Sequence, residues 1–376
     1  MLQNKIYQNF IKEIFKTFFV ILLGLTLIAW TVRAVNFLDL IVESGYSVST
    51  YFQYSLLNLF GILTKFIPLA FLLSLMIFIV KQIQEKEFLI LWTSGVKKIK
   101  LVNIFFFVSV IISFIYLIFS SFVTPLALNK SRSIISQNNF NSFLPTIRVQ
   151  QFSDSFEGFT FIVENRINNN IEKVFIHDNS NTLKNLTSNQ NKDSSTTIIA
   201  KSGVVEEKKM VLFEGEIIST NKKNNKNEII KFEQLNIDLT NLQTSTIKQP
   251  KLQETSTVQL FKCMNASSTE FTITCKKNTK KEIITVLNRR IVLPLYIPII
   301  SLLCSFLVIK AKTSKNLFLN KYFIFALSFF VLLYAELIIR YTGISKIIGT
   351  LFVATPLTLI PLIYFFLSIK LSRESL

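Results

Sequence analysis

The sequence predicts an α-helical membrane protein: six transmembrane helices, with an all-β domain inserted between the third and the fourth. Three observations carry that prediction. Charged residues avoid six stretches of about 20 residues, the length an α-helix needs to cross roughly 30 Å of hydrocarbon. Residues 126–285 form a polar block, large enough to hold a core of its own, in which apolar residues recur with a period of two. Lys and Arg gather at alternate ends of the apolar stretches.

The expected spans are Phe18–Leu38, Leu56–Val80, Leu101–Val123, Ile291–Ile309, Tyr322–Ile339 and Ile347–Ile369. They divide the chain into residues 1–125 with spans one to three, 126–285 as the β domain and 286–376 with spans four to six. The first apolar run is too long for a signal-peptide core and no small-residue cleavage site follows it, so it is expected to be retained.

Lys and Arg stay on the cytoplasmic side of a membrane. Lys5, Lys12 and Lys16 precede the first span, and Lys81, Lys86, Lys97, Lys98 and Lys100 lie between the second and third. Lys310, Lys312, Lys315 and Lys321 lie between the fourth and fifth, and Lys370 and Arg373 follow the sixth. If the spans alternate, all of these share one side. The expected placement is a multi-pass membrane protein with both termini cytoplasmic and the inserted domain outside.

The formal charge of +18 raises the question of nucleic acid. Residues 126–285 carry 21 basic and 16 acidic side chains, and the rest carry 20 basic and 7 acidic. The excess therefore lies mainly around the membrane spans, and no nucleic-acid partner is expected.

In the insert, Phe159, Phe161 and Val163 alternate with Thr160 and Ile162, and a polar turn at Asn165–Asn170 leads into IEKVFIHD. TTIIAKSGVV, KMVLFEGEII and IIKFEQLNIDL follow, set apart by Asn, Lys, Ser and Gly clusters. Short strands at this spacing predict an antiparallel sandwich or roll. The Asn- and Lys-rich segments 181–195 and 221–228 read as loop expansions.

Catalysis finds no support. His177 is the only histidine and falls in an alternating strand. HExxH, GxSxG, zinc-spaced cysteines and the GxxxxGK[ST] phosphate loop are all missing, so no catalytic residue, metal or bound cofactor is expected, and any ATP must be used by a partner. Cys263 and Cys275 are a possible disulfide on the oxidising side, whereas Cys304 lies within the fourth span.

Ionisable groups at membrane depth need a partner or a polar cavity. Arg33, Lys65, Arg289, Arg290, Glu336 and Arg340 all fall in the outer half of the membrane or at its outer surface. Either they snorkel to the headgroup layer, or they line a cavity for an anionic, phosphate-bearing lipid headgroup, with Glu336 orienting Arg340. Lys65 is too deep for easy snorkelling.

The stretch EKEFLILWTSGVKKIK, between spans two and three, predicts a short cytoplasmic helix within 83–95. Phe88, Leu91 and Trp92 recur at i, i+3 and i+4, acids occupy its first turn, and Gly95 suits a left-handed stop. Periodicity leaves two readings open, an interfacial helix floating on the bilayer and a docking element for an ATPase.

Three spans, an external β domain and three more spans, with Glu87-x(7)-Gly95 in the first cytoplasmic loop and LNRRIVLPL opening the fourth span, resemble the LptF/LptG family of lipopolysaccharide-export permeases. The series AKSGVV, LFEGE and IIKFEQLNIDL is more similar to LptF, with LptG as the alternative. The resemblance implies a jellyroll-like external domain and an ATP-driven exporter that extracts lipopolysaccharide from the inner membrane and passes it to a periplasmic bridge. It implies an LptG-like permease partner (LptF-like if this chain is LptG), an LptB-like cytoplasmic ATPase dimer, and LptC-like and LptA-like periplasmic jellyrolls. It also assigns ATPase coupling to Glu87, Phe88, Leu91, Trp92 and Gly95. Two rival readings stay open, a permease for another lipid or a lipoprotein, and a membrane-anchored periplasmic receptor or scaffold.

Overall fold

The computed structural model describes residues 2–42, 46–137, 147, 149–156, 158–179, 194–206, 209–221, 227–238, 251–265, 280–309 and 317–373. Most of segments 181–195 and 221–228, and Cys275, lie outside the described residues. In chain order the helices are α1 (Leu2–Asn36), α2 (Asp39–Val42), α3 (Val48–Gln84), α4 (Glu87–Thr93), α5 (Lys98–Ile118) and α6 (Thr124–Gln137), with a π-helical turn Phe119–Val123 joining the last two. Strands β1 (Ser153–Phe156), β2 (Phe159–Ile167), β3 (Asn170–Asp178), β4 (Ser194–Glu206), β5 (Lys209–Asn221) and β6 (Asn227–Asp238) follow. Helices α7 (Thr257–Asn265), α8 (Lys280–Ile291), α9 (Tyr296–Ile309), α10 (Leu317–Ile338) and α11 (Lys346–Arg373) complete the chain. It divides into two compact units, one of Met1–Val32, Leu57–Asn129 and Pro250–Leu376, the other of Arg33–Leu56 with Lys130–Gln249.

Among the described residues, six helical stretches are long and apolar enough to span a membrane: Lys5–Ile41, Val48–Gln84, Lys98–Ile135, Lys280–Ile309, Lys321–Tyr341 and Lys346–Leu371. Each contains most or all of an expected span. Most extend beyond it because polar residues continue the hydrogen-bonded ladder outside the hydrocarbon. The fourth is the central one: 83% of its apolar window is buried, against 17% in the first and sixth. Ser301 and Ser305 therefore sit inside protein, not lipid.

At two places where prolines interrupt the ladders, a side chain of another span closes the gap. Pro356 has no N–H for the Phe352 carbonyl one turn earlier. That carbonyl accepts from the Tyr296 hydroxyl at 2.9 Å, and the two rings stack at 5.1 Å. Where α8 gives way to α9 at a 3₁₀ turn (Leu293–Leu295), the Pro294 carbonyl accepts from buried Ser113 of α5 at 2.8 Å.

The β unit holds one six-stranded antiparallel meander in the order β1 to β6. The short polar strand β1 (SDSF) has no apolar alternation and is invisible in the sequence. The polar turn is tighter than expected: β2 runs to Ile167 and β3 starts at Asn170, leaving Asn168, at φ 56°, to reverse the chain.

One row across this sheet breaks the alternation. Lys173 and Glu214 take φ of 47°, and with Lys201 they occupy a row that the regular pairing skips. Buried positions on β3 step from Ile171 to Val174 and on β5 from Leu212 past Gly215 to Ile217, so one apolar face continues through the slip. The partner register is the same on both sides of the row, with Ile171 opposite Gly203 and Val174 opposite Ala200, so the neighbouring strands step together. Exposed pairs Lys173–Glu164 (2.8 Å) and Lys201–Glu214 (2.6 Å) lie along the row, and the second raises the Lys201 pKa and lowers that of Glu214 through their hydrogen bond and mutual attraction.

Gly215 adjoins this row because a Cβ there would collide with the Ile199 carbonyl oxygen and the Phe232 ring. Gly215→Val should destabilise the β unit by about 1–3 kcal/mol, the usual cost of overpacking. The measurement is faster proteolysis within 150–240 in the detergent-solubilised chain, with the helical fragments unchanged.

Candidate functional site

The junction between α3 and α5 is built around α4, which at seven residues is too short to be stable alone. Its ends are fixed locally. Lys86 adopts φ 58° and turns the chain out of α3, and its carbonyl accepts the first bond of α4, from Ile90 N at 3.1 Å. At the other end Gly95 has φ 85°, its N–H bonds the Trp92 carbonyl at 3.1 Å, and Val96 N–H bonds the Leu91 carbonyl at 3.0 Å. That is a Schellman stop, with Val96 and Leu91 both buried beside it.

Phe88, Leu91 and Trp92 share a face as their spacing requires, but that face turns into the protein. Phe88 is 1% exposed and packs edge-on to Phe10 of α1 (6.2 Å) and Phe78 of α3 (6.4 Å). Trp92 stacks on Phe88 at 6.2 Å, with the Lys98 ammonium 4.7 Å from its ring centre. Expected from the sequence to meet a partner, this face instead packs against α1 and α3. Leu89 (51% exposed) and Ile90 (63%) face outward instead, beside exposed Thr93 and half-exposed Glu87. They were overlooked because a pair of adjacent apolar residues carries no helical period.

Glu13 is a second omission. It accepts from Lys81 Nζ at 2.7 Å and from Gln82 Nε2 at 3.3 Å, holding α1 against the end of α3. Its signal was available, a lone acid among Lys5, Lys12 and Lys16.

The charged residues expected at the outer surface do not form one set. Arg290 is 4% exposed, and its guanidinium donates to the carbonyls of Leu252 (3.4 Å), Gln253 (3.0 Å) and Thr255 (3.0 Å) and to Thr257 Oγ1 (2.8 Å). Thr257 Oγ1 in turn donates to the Ser121 carbonyl within the π turn at 2.7 Å. Arg290 therefore anchors the returning chain and presents nothing to a lipid. Glu336 pairs with Arg289 at 3.2 Å, not with Arg340 as the sequence suggested, because α8 packs beside the end of α10. Arg33, Lys65 and Arg340 are exposed.

His177 Nδ1 lies 2.9 Å from Thr197 Oγ1 across the β3–β4 pair, a sheet contact. Among the described residues no cluster of His, Cys, Asp and Glu is arranged to hold a metal. Cys263 is disulfide-bonded and Cys304 is a buried free thiol.

Two measurements check this geometry. Phe88→Ala should lower the stability of the helical unit by about 3–5 kcal/mol, seen as an earlier thermal transition in detergent, whereas Leu89→Ala should leave it in place. Arg290→Ala removes four donated hydrogen bonds from the part-buried 252–257 segment, at about 0.5–1.5 kcal/mol for each bond lost. Protease should then open 251–265, while Arg340→Ala should leave that segment protected.

No curated protein matches the chain. Residues 9–374 match the family described as lipopolysaccharide export system permease LptF/LptG, without dividing LptF from LptG. Six apolar helices fit a multi-pass inner-membrane permease of that kind. Since the match takes in nearly all of the 376 residues, the chain belongs to the LptF/LptG family of lipopolysaccharide export permeases.

Proposed function

We propose that this chain is a permease subunit, LptF in its series of strands, of an ATP-driven exporter. The exporter draws lipopolysaccharide from the outer leaflet of the inner membrane and hands it to a periplasmic bridge. The observation that carries this reading is α4, a short helix clamped at both ends, rooted in the core by Phe88 and showing Leu89 and Ile90 to the outside. A helix rooted in this way can pass a push on its outer face to α1 and α3 through the Phe10 and Phe78 contacts.

The chain has no phosphate loop, so hydrolysis falls to an LptB-like dimer. Glu87, Leu89 and Ile90 are its proposed contact, with Gly95 setting where α4 stops. The lysine-rich loops and termini support a cytoplasmic position for that end and a periplasmic one for the β domain. The bare apolar faces of the first and sixth spans suit an LptG-like partner. Edge strands β1 and β6 have one free side each within the sheet, which suits strand addition by LptC-like and LptA-like jellyrolls. Arg33, Lys65, Arg289 and Arg340 are the proposed headgroup cations. A bond between Cys263 and Cys275 would sit on the periplasmic side, where oxidation favours it.

The test is Leu89→Asp with Ile90→Asp, alongside Glu87→Lys. The expected outcome is that the ATPase no longer co-purifies and lipopolysaccharide stays in the inner membrane, while the thermal transition of the chain is unchanged. Undiminished assembly and export would remove the coupling role from this face.

A further inference from the structure

A slot of about 230 Å³ lies between α5 and α11, lined by Asn103, Phe106, Ile360, Pro361 and Tyr364. We propose that it is a binding site for one acyl chain and the glycerol region of an anionic phospholipid of the leaflet at the α4 end of the membrane.

The argument begins with Asn103, an exposed amide inside a membrane-spanning stretch. Its Oδ1 accepts from the Tyr364 hydroxyl at 3.0 Å, which fixes the carboxamide and leaves its two N–H donors without an acceptor among the described residues. In hydrocarbon such donors are costly. They call for an acceptor from the lipid itself.

Depth selects which part of the lipid. Asn103 is five residues into α5 and Tyr364 six residues before Lys370, which is about 7.5 Å and 9 Å along the two helices. Lys100 stands about 4.5 Å from Asn103 along α5 and Lys370 about 9 Å from Tyr364 along α11, both within two turns of the amide, where a phosphate lies when the ester carbonyls reach Asn103. Both lysines are exposed, and the Lys370 ammonium leans over Phe366 at 5.8 Å. Lys100 is three residues from Asn103 and shares its face of α5. Two cations at the mouth favour an anionic headgroup over a zwitterionic one.

Pro361 lies in the lining of the slot and supplies no N–H to the Leu357 carbonyl within α11. The remaining lining is apolar, and the volume is below the roughly 300–1,000 Å³ of sites for compact ligands, so it takes a chain in part and not a whole molecule. The site does not depend on which side of the membrane this end faces, nor on the coupling role of α4.

The experiment uses the full chain with its co-purifying partners in nanodiscs of phosphatidylcholine with one tenth phosphatidylglycerol, the latter carrying a diazirine in one acyl chain. Crosslinks are expected on Phe106 or Ile360. Asn103→Leu should cut labelling roughly fivefold, the worth of one hydrogen bond. Lys100→Gln with Lys370→Gln should erase the preference over a phosphatidylcholine probe of the same design, by about tenfold or more, while leaving chain labelling. Tyr364→Phe serves as a second, milder variant should Asn103→Leu reduce yield. The proposal is overturned if labelling is uniform around the lipid-facing helices, if neither variant lowers it, or if the probe labels a partner helix in place of Phe106 and Ile360.

Discussion

Inside a bilayer no water is at hand for main-chain N–H and C=O groups, so every break in a helical ladder must be repaired by the protein itself. This constraint organises the helical unit. The Phe352 carbonyl orphaned by Pro356 is taken up by Tyr296, the Pro294 carbonyl by Ser113 and the Ser121 carbonyl in the π turn by Thr257, while outside the ladders Arg290 holds three carbonyls of the 252–255 turn. Each repair comes from a different helix or segment. The breaks thus become the places where spans are tied together, and the most buried span, α8–α9, takes part in most of them.

The same logic turns around at α4, where a seven-residue helix has little reason to persist by itself. There the repair is apolar. Phe88 between Phe10 and Phe78 supplies burial worth about 1.5–3 kcal/mol, and the Schellman stop at Gly95 adds definition at the other end. The exposed Glu13–Lys81 pair contributes less, since screening by solvent weakens such pairs. A load on the outer face of α4 reaches the spans through aromatic packing, which is dense and does not yield by small degrees.

In the β unit the period of two was legible strand by strand, and β2 to β6 fall where alternation places them. The slip along Lys173, Lys201 and Glu214 was not. A single strand with one skipped position reads as noise, and only pairing shows that neighbouring strands skip in the same row. The short strand β1 escaped for a related reason: its polar residues join the sheet through main-chain bonds, on which side-chain pattern is silent.

Among the site residues, Gly95 was readable because a left-handed turn needs a particular residue type, and the shared face of Phe88, Leu91 and Trp92 because helical spacing is local. Which way that face turned was not local, since it depends on Phe10 and Phe78, far away in the chain. Arg289 and Arg290 are adjacent and alike in sequence, yet one pairs with Glu336 near the surface and the other is consumed by main-chain carbonyls. The sequence by itself determined six spans, the inserted β domain and the helix stop, because hydrocarbon thickness, pleat and backbone sterics act residue by residue. Only the tertiary structure decided which charges and apolar faces remain free to act, because burial and hydrogen-bond satisfaction belong to neighbours that the chain brings together from elsewhere.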